Sequence, residues 1–472
     1  MQEPGPGSSH YRAAPPSRAS QRTTFLGVRA DILGRKKTFE TRRQLSQSQT
    51  MAHPIPRRDF VSTMALSGLA LAAAPAILKG QGAFPSKIKV ALIGCGGRGT
   101  GALGQFIAAC KLLGIEPEVV ALADAFEDRV QKLGKTYNLP ATKIFTGYDA
   151  YQKVMATDCT FVLMATPPAF RPVHFAAAVE AGKHCFIEKP VAVDPVGSRS
   201  IIASGEKAKT KGLAVVAGTQ RRHDAGYLRN KALIDAGAIG AIRGGVVQWN
   251  GTVPWIRRRA KDDTDADYMN RNWLNFTELS GDHIVEQHIH NVDVAIWYLD
   301  RPPVSALGFG GRARRETGNM FDFFSVDYDF GDAVHIHSQC RQITATTGRV
   351  GEFFTGAEGS CFGSGKVFTK KNITVPDIKM DTNDTMVQEH VDLIRSAFSG
   401  KPLNDARQIA ESNLAVIMGR MSAYTGEMVR FADLLTNESS PHYNFKFGVG
   451  PKDFETGNVK LPAEVPPIPG KA

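Results

Sequence analysis

The stretch KIKVALIGCGGRG, residues 87–99, decides the fold. Lys87–Ile93 is apolar and β-branched with little alternation, the composition of a parallel strand buried on both faces. It runs straight into Gly94-Cys95-Gly96-Gly97-Arg98-Gly99, a G-x-G-x-x-G, and an Ala/Leu-rich helix follows to about Leu113. That order has a chemical purpose. Gly94 makes a tight turn, Gly96 and Gly97 let a pyrophosphate approach the backbone, and Gly99 lets helix lie close against strand. The phosphates then rest on the helix N-terminus. Arg98 either touches phosphate or is a surface residue. A second strand, Glu118–Ala123, ends in Asp124, 25 residues past Gly99. An acid there binds a ribose 2′-hydroxyl and repels a 2′-phosphate, which favours NAD while leaving NADP open; the alternative role is a cap or turn residue.

The βα rhythm continues outward. Helices are predicted over Arg129–Tyr137 and Tyr148–Met155, a strand over Thr160–Ala165 ending in Thr166-Pro167-Pro168, and a helix over His174–Ala181. A strand over His184–Ile187 ends in Glu188-Lys189-Pro190, and a helix over Ser198–Lys211 leads to a strand over Leu213–Ala217. Polar loops at the C-terminal edges of the strands are where doubly wound sheets bind ligands. Residues 87–218 are therefore expected to form a Rossmann domain, a doubly wound parallel sheet with helices on both faces.

Gly94–Gly99, the Ala-Thr-Pro run at 165–167, Ala181-Gly182-Lys183-His184 and above all Glu188-Lys189-Pro190 resemble the glucose-fructose oxidoreductase / inositol dehydrogenase (Gfo/Idh/MocA) family. The resemblance covers about residues 87–430. It implies an α/β chain: the Rossmann domain, then an α+β domain with an open, mainly antiparallel sheet. It also implies a proline, often cis, after a lysine that reaches the nicotinamide and the substrate hydroxyl. Thr166, Pro167, Glu188, Lys189 and Pro190 would then join the glycine loop at the cofactor. The chemistry of Lys189 agrees, since a point cation can hydrogen-bond a substrate oxygen and lower a hydroxyl's pKa. One departure is Arg171, which stands where members often carry histidine. An extra cation there would suit an acidic or carboxylated substrate; the alternative is a surface residue at a helix start.

Residues 219–436 change character. Strands are expected over Gly244–Trp249, Val304–Gly310, Phe321–Phe330 and Ala333–Cys340, and helices over Thr385–Ser399 and Asp405–Gly426. The Pro/Gly-rich tail, 437–472, is expected to wrap the surface. The most informative stretch is GDHIVEQHIHNVD, residues 281–293. As one helix it would put His283, Glu286, His290 and Asp293 on one face. The family's pattern here resembles Asp-x-Gly-x-His-x-x-Asp. It implies that His290 takes the hydroxyl proton, with Glu286 in the aspartate's place as its acidic partner and Asp293 at the substrate. His283, Glu286 and His290 have metal-ligand types but not the H-E-x-x-H spacing, so no metal site is assigned. Arg221, in the Gln220–His223 run at the domain junction, either lines the cleft or is a solvated charge. Trp273 and Trp255, in the loop Thr252–Leu279, can stack on a sugar or serve as core.

Composition bounds the rest. The chain has 472 residues, 57 Lys+Arg, 46 Asp+Glu and a net charge of +11. That is too long for one ordinary domain. Six cysteines without a CxxC pair exclude a disulfide scaffold and a zinc finger. Residues 1–56 read as a disordered leader. Residues 57–78 hold Arg57-Arg58-Asp59-Phe60, an apolar run and small residues at 72–76, a twin-arginine signal peptide. Met51 would give a signal of normal length, so the first 50 residues are expected to be an upstream mis-start. Residues 1–76 carry 11 Lys+Arg against 4 Asp+Glu, so +7 of the +11 belongs to the leader, and nucleic acid is not an expected partner.

The expectation is an enzyme exported to the periplasm by the twin-arginine machinery, with no membrane span once the signal is removed. It would transfer hydride between a carbohydrate-like substrate (sugar, cyclitol or polyol) and a bound nicotinamide, as a homo-oligomer. Two alternatives stand beside it. One is a glycoside-cleaving or epimerising enzyme that oxidises transiently with no net redox change. The other is a non-enzymatic dinucleotide-binding protein.

Overall fold

A computed structural model describes residues 84–463. The leader, the twin-arginine motif and the last residues of the tail lie outside this range. Six strands form the first sheet: β1 (Lys87–Ile93), β2 (Glu116–Asp124), β3 (Ile144–Thr146), β4 (Phe161–Met164), β5 (His184–Ile187) and β6 (Val215–Ala217). They are all parallel, in the order β3-β2-β1-β4-β5-β6. This is the doubly wound dinucleotide order, with its switch point between β1 and β4.

The unbroken apolar strands are explained by two buried faces. Ile88, Val90, Leu92, Phe161 and Leu163 face one core with Leu103 and Phe106 of the helix Gly97–Leu112. Ala91, Ile93, Val162 and Met164 face the other with Phe175 and Ala178 of the helix Arg171–Glu180. The helix Thr385–Ala397, placed with the second domain by its position in the chain, instead covers the first sheet. Its Val387, Val391 and Ile394 share a core with β1 and β4.

The second sheet has eight strands: β7 (Ile242–Gly251), β8 (Ser305–Gly311), β9 (Phe323–Asp329), β10 (His335–Gln342), β11 (Arg349–Gly356), β12 (Gly359–Phe362), β13 (Val367–Thr369) and β14 (Val429–Arg430). Their order is β13-β12-β11-β7-β10-β9-β8-β14. The pairing is antiparallel except between β7 and β10, which are parallel. The long helical stretch that separates β7 from β8 gives the chain the crossover that parallel pairing needs. One face carries Val247, Ile336, Val326, Tyr328 and Phe354, packed on the helices Ile289–Leu299 and Ala406–Thr425. The opposite face leaves Phe309, Phe323, Phe362 and Phe368 exposed.

Residues 281–293 are not one helix. A turn at His283–Glu286 and the helix Ile289–Leu299 are separate. The break is a wide turn in which His288 N–H donates to His283 O at 3.2 Å, while the buried His288 ring shares a hydrogen bond with the Ser338 hydroxyl on β10 at 2.8 Å.

Candidate active site

The C-terminal edge of the first sheet opens onto a cavity of about 730 Å³, walled on its other side by the second domain. The glycine loop forms its floor. Gly94 has φ +96°, and a Cβ there would lie 2.7 Å from Ala165 C, so the β1–helix turn needs glycine. A Cβ on Gly99 would sit 1.7 Å from Gly94 O, so the helix could not approach the strand. In front of Gly97 nothing lies within 4 Å, and at Gly96 only Arg129 Nη1 at 3.9 Å. The helix that follows has no side-chain cap and no acid in its first turn. Its open N–H groups and this empty cradle fit a diphosphate.

Asp124 ends β2 at one edge of the cavity. Its Oδ2 accepts from Cys95 N–H at 2.6 Å and its Oδ1 from Phe126 N–H at 2.9 Å, which ties the glycine loop to β2. Each oxygen keeps a second lone pair for a ribose hydroxyl. Burial raises the carboxyl's pKa, opposed by these amides and by Arg129. Arg98 lines the cavity with its guanidinium engaged by protein partners. It pairs with Glu188, donates to Gln105 Oε1 at 2.7 Å and reaches Glu389 at 3.4 Å. Burial and then Glu188 push the Glu389 carboxyl well above its ordinary range.

β5 ends three strands along from β2, and the Lys189–Pro190 bond after it is cis. Lys189 Nζ donates to the Glu286 carbonyl at 2.7 Å and to Glu286 Oε1 at 2.9 Å. An ammonium has three N–H donors, so one is left for the cavity. Glu286 is 6% exposed, and its Oε2 is buried without a partner. His290 lines the same cavity, its ring stacked on Trp249 at 5.6 Å. Burial, then the Lys189 and Arg221 cations, hold its imidazole well below the ordinary 6.5. Despite the break at 287–288, Lys189, Glu286 and His290 meet in one cavity with Thr166 and Pro167.

Of the other expected substrate residues, Arg171 and Trp273 line the cavity, whereas Asp293 and Arg221 do not. Arg171 is 1% exposed, and its guanidinium donates to the carbonyls of Thr166 and Pro190. It clamps the two ligand-edge loops together instead of offering a cation to an acidic substrate. Burial lowers it only to about 10, so it stays charged at neutral pH. Asp293 is paired with Arg222 at 2.9 and 3.0 Å and accepts from Ser412 at 2.7 Å, away from the cavity lining. Arg221 pairs with buried Glu352 and is also absent from the lining, although its neighbour Gln220 is there. His283 binds Asp282 at 2.9 Å, also off the lining. Trp273 does line the cavity, with Trp255 and Trp249.

Sequence reasoning missed Trp249, Gln287, Arg129, Tyr148, Asn270 and Glu389 as lining residues. Trp249 and Gln287 had a usable signal, being near the end of a predicted strand and beside Glu286. Glu389 had none, since its helix returns to the first sheet from far along the chain.

Two family models match the chain. "Oxidoreductase family, NAD-binding Rossmann fold" spans residues 88–218, and "GFO/IDH/MocA C-terminal domain" spans 227–361. Inositol 2-dehydrogenase 3 of Saccharopolyspora erythraea is 31% identical over 210 residues, 44% of this chain and 54% of that protein. Inositol 2-dehydrogenase of Agrobacterium fabrum is 31% identical over 212 residues, with the same coverage of 44% and 54%. The chain thus matches about half the length of these relatives. Among solved structures, aldose-aldose oxidoreductase from Caulobacter crescentus complexed with glycerol superposes with a TM-score of 0.56 at 17% identity, over 73% of this chain and 99% of that one. The WlbA dehydrogenase from Bordetella pertussis in complex with NADH and UDP-GlcNAcA gives 0.57 at 17%, over 73% and 98%. At such identities these structures establish the shared fold alone.

Proposed function

Since the chain belongs to the Gfo/Idh/MocA oxidoreductase family, its two family models together covering more than half of it, we propose that it is a nicotinamide-dependent dehydrogenase acting on a secondary CH–OH group of a sugar, cyclitol or related polyol. The observation that carries this reading is the meeting of Lys189, Glu286 and His290 in the cavity floored by the glycine loop. The inositol dehydrogenases among its relatives support the substrate class. Asp124 supports NAD over NADP.

When bound, the nicotinamide supplies a hydride acceptor. The chain's own residues do the rest. The free N–H of Lys189 hydrogen-bonds the substrate oxygen and favours its ionised form. His290, neutral through burial and its cationic neighbours, takes the hydroxyl proton on a ring nitrogen. Glu286 Oε1 and its own carbonyl hold the ammonium in place. Arg171 fixes the Thr166 and Pro190 loops that frame the site. Trp249 orients the His290 ring, and Trp255 and Trp273 offer flat apolar faces to a sugar ring.

A second reading draws on Glu286 Oε2. A buried, unpartnered carboxylate oxygen beside the proposed proton acceptor is one more base than simple dehydrogenation requires. An epimerising or glycoside-cleaving enzyme would use it to remove a C–H proton next to a transient carbonyl. Export through the twin-arginine machinery is proposed on residues 57–78, and a homo-oligomer on the exposed apolar face of the second sheet. Incubation with NAD or NADP and a panel of inositols and aldoses, followed at the NADH absorbance, tests the first reading. Turnover of aryl glycosides without a second substrate would favour the second, and inertness on both panels would contradict both.

A further inference from the structure

The wall that the second domain gives the cavity is almost free of charge. From residue 220 to residue 287 its lining carries one ionised side chain, Glu286, and Lys189 holds that one. The wall otherwise offers aromatic faces, at Trp249, Trp255 and Trp273, and amides, at Gln220, Asn270 and Gln287. Gln220 and Gln287 spend their side-chain amides on no other described residue. Flat apolar faces beside uncharged groups that both donate and accept suit a ring with C–H faces and a rim of hydroxyls.

The three tryptophans stand at different depths. Trp249, near the end of β7, is half-buried and already carries the His290 ring at 5.6 Å. Trp273 is half-buried too, packed against the small core that holds Met269 and Phe276. Trp255 is 56% exposed, and Ile256 beside it is 46% exposed. A tryptophan left this bare is not core packing. The backbone beneath it is nonetheless fixed, by two asparagines with no exposed surface. Asn275 Nδ2 donates to Trp255 O at 3.3 Å, and its Oδ1 accepts from buried Arg315 at 2.8 Å. Asn272 Oδ1 accepts from Arg257 N–H at 2.7 Å, and its Nδ2 donates to Arg257 O at 3.1 Å. A platform held in place beforehand loses little freedom when a ligand covers it.

The carbinol that reacts has to lie at Lys189 and His290, at the buried end of this wall. We propose that Trp255 is a second subsite, which stacks on a neutral pyranose ring joined by a glycosidic bond to the ring that reacts. The substrate class is then a glycoside that carries a further sugar ring, not a free sugar or cyclitol. This rests on the dehydrogenase reading and narrows its substrate. A wall of indoles and amides selects a neutral second ring over a phosphorylated or carboxylated one.

The test uses the full-length protein loaded with NADH, so that a hydroxyl substrate binds without being oxidised. It is titrated calorimetrically with glucose, galactose and the disaccharides cellobiose, maltose, lactose and melibiose. At least one disaccharide should bind about tenfold tighter than its component sugars, the scale of covering one aromatic face. Trp255→Ala, which removes an exposed side chain and no core packing, should abolish that preference. Trp255→Phe, which restores a flat face, should keep most of it. A merely structural defect would weaken every sugar together and leave the ratio where it was. A protein that prefers no disaccharide, or a preference that survives Trp255→Ala, would overturn the subsite and leave the dehydrogenase standing. So would a Trp255→Ala loss confined to NADH affinity, which would place the ring over the cofactor. A wild type that binds neither NADH nor any of these sugars would overturn both.

Discussion

Lys189 has the sharpest expected phenotype. Its side chain contacts Glu286 and faces the cavity, whereas the diphosphate cradle is made of backbone at Gly96 and Gly97. Lys189→Ala should therefore lower kcat by about 10²-fold or more while the cofactor Kd moves little. An unaffected rate would remove Lys189 from the mechanism. His290 acts as a base only when neutral. Because its pKa is held well below 6.5, the neutral form persists as pH falls through the range where an ordinary histidine protonates. The acid limb of kcat/KM should accordingly lie below pH 6.5, the ordinary value, and a limb centred at or above that value would contradict the assignment. Much at this scale was legible in the sequence. Glu188-Lys189-Pro190 announced itself because a strand must end in something, and polar residues at that edge face ligand. Arg171, Arg221 and Asp293 were harder. Each is a charge that satisfies a buried partner, in Thr166 O, Glu352 and Arg222, and a partner distant in sequence leaves no local trace.

At the scale of elements, the glycine loop shows how tightly the first strand and helix are fitted. A methyl group on Gly99 would meet the Gly94 carbonyl at 1.7 Å, a backbone atom that cannot swing aside. Gly99→Ala should cost roughly 3 kcal/mol or more and weaken dinucleotide binding, as read by thermal unfolding and cofactor titration. Wild-type stability with wild-type affinity would mean the loop is looser than described. The strands of the first sheet were readable because burial on both faces leaves unbroken apolar runs. β3, a three-residue edge strand, was not, since it is too short to carry a pattern. The break at 287–288 was also hidden. Helical spacing describes the residues on both sides of it, and the wide turn is set by His288 reaching across to Ser338.

At the scale of the molecule, the two-domain plan followed from length and from the change of pattern near residue 219. The second sheet was legible only in part. β11, β12, β13 and β14 were missed, and the parallel pairing of β7 with β10 depends on a crossover that no local motif records. On the exposed side of that sheet Phe309 is 68% and Phe368 49% exposed, apolar side chains of the kind that association covers. If it joins copies of the chain, Phe309→Asp should shift the light-scattering mass to a smaller species without loss of secondary structure. An unchanged mass would exclude Phe309 from any interface. The cavity floored by the glycine loop makes one demand: the protein should bind a dinucleotide. Native mass spectrometry of the gently purified full-length chain tests this most directly. A mass increment of about one NAD(H) or NADP(H) per chain is expected, either as purified or after incubation with the dinucleotide. Apoprotein that neither carries nor takes up either dinucleotide would contradict it.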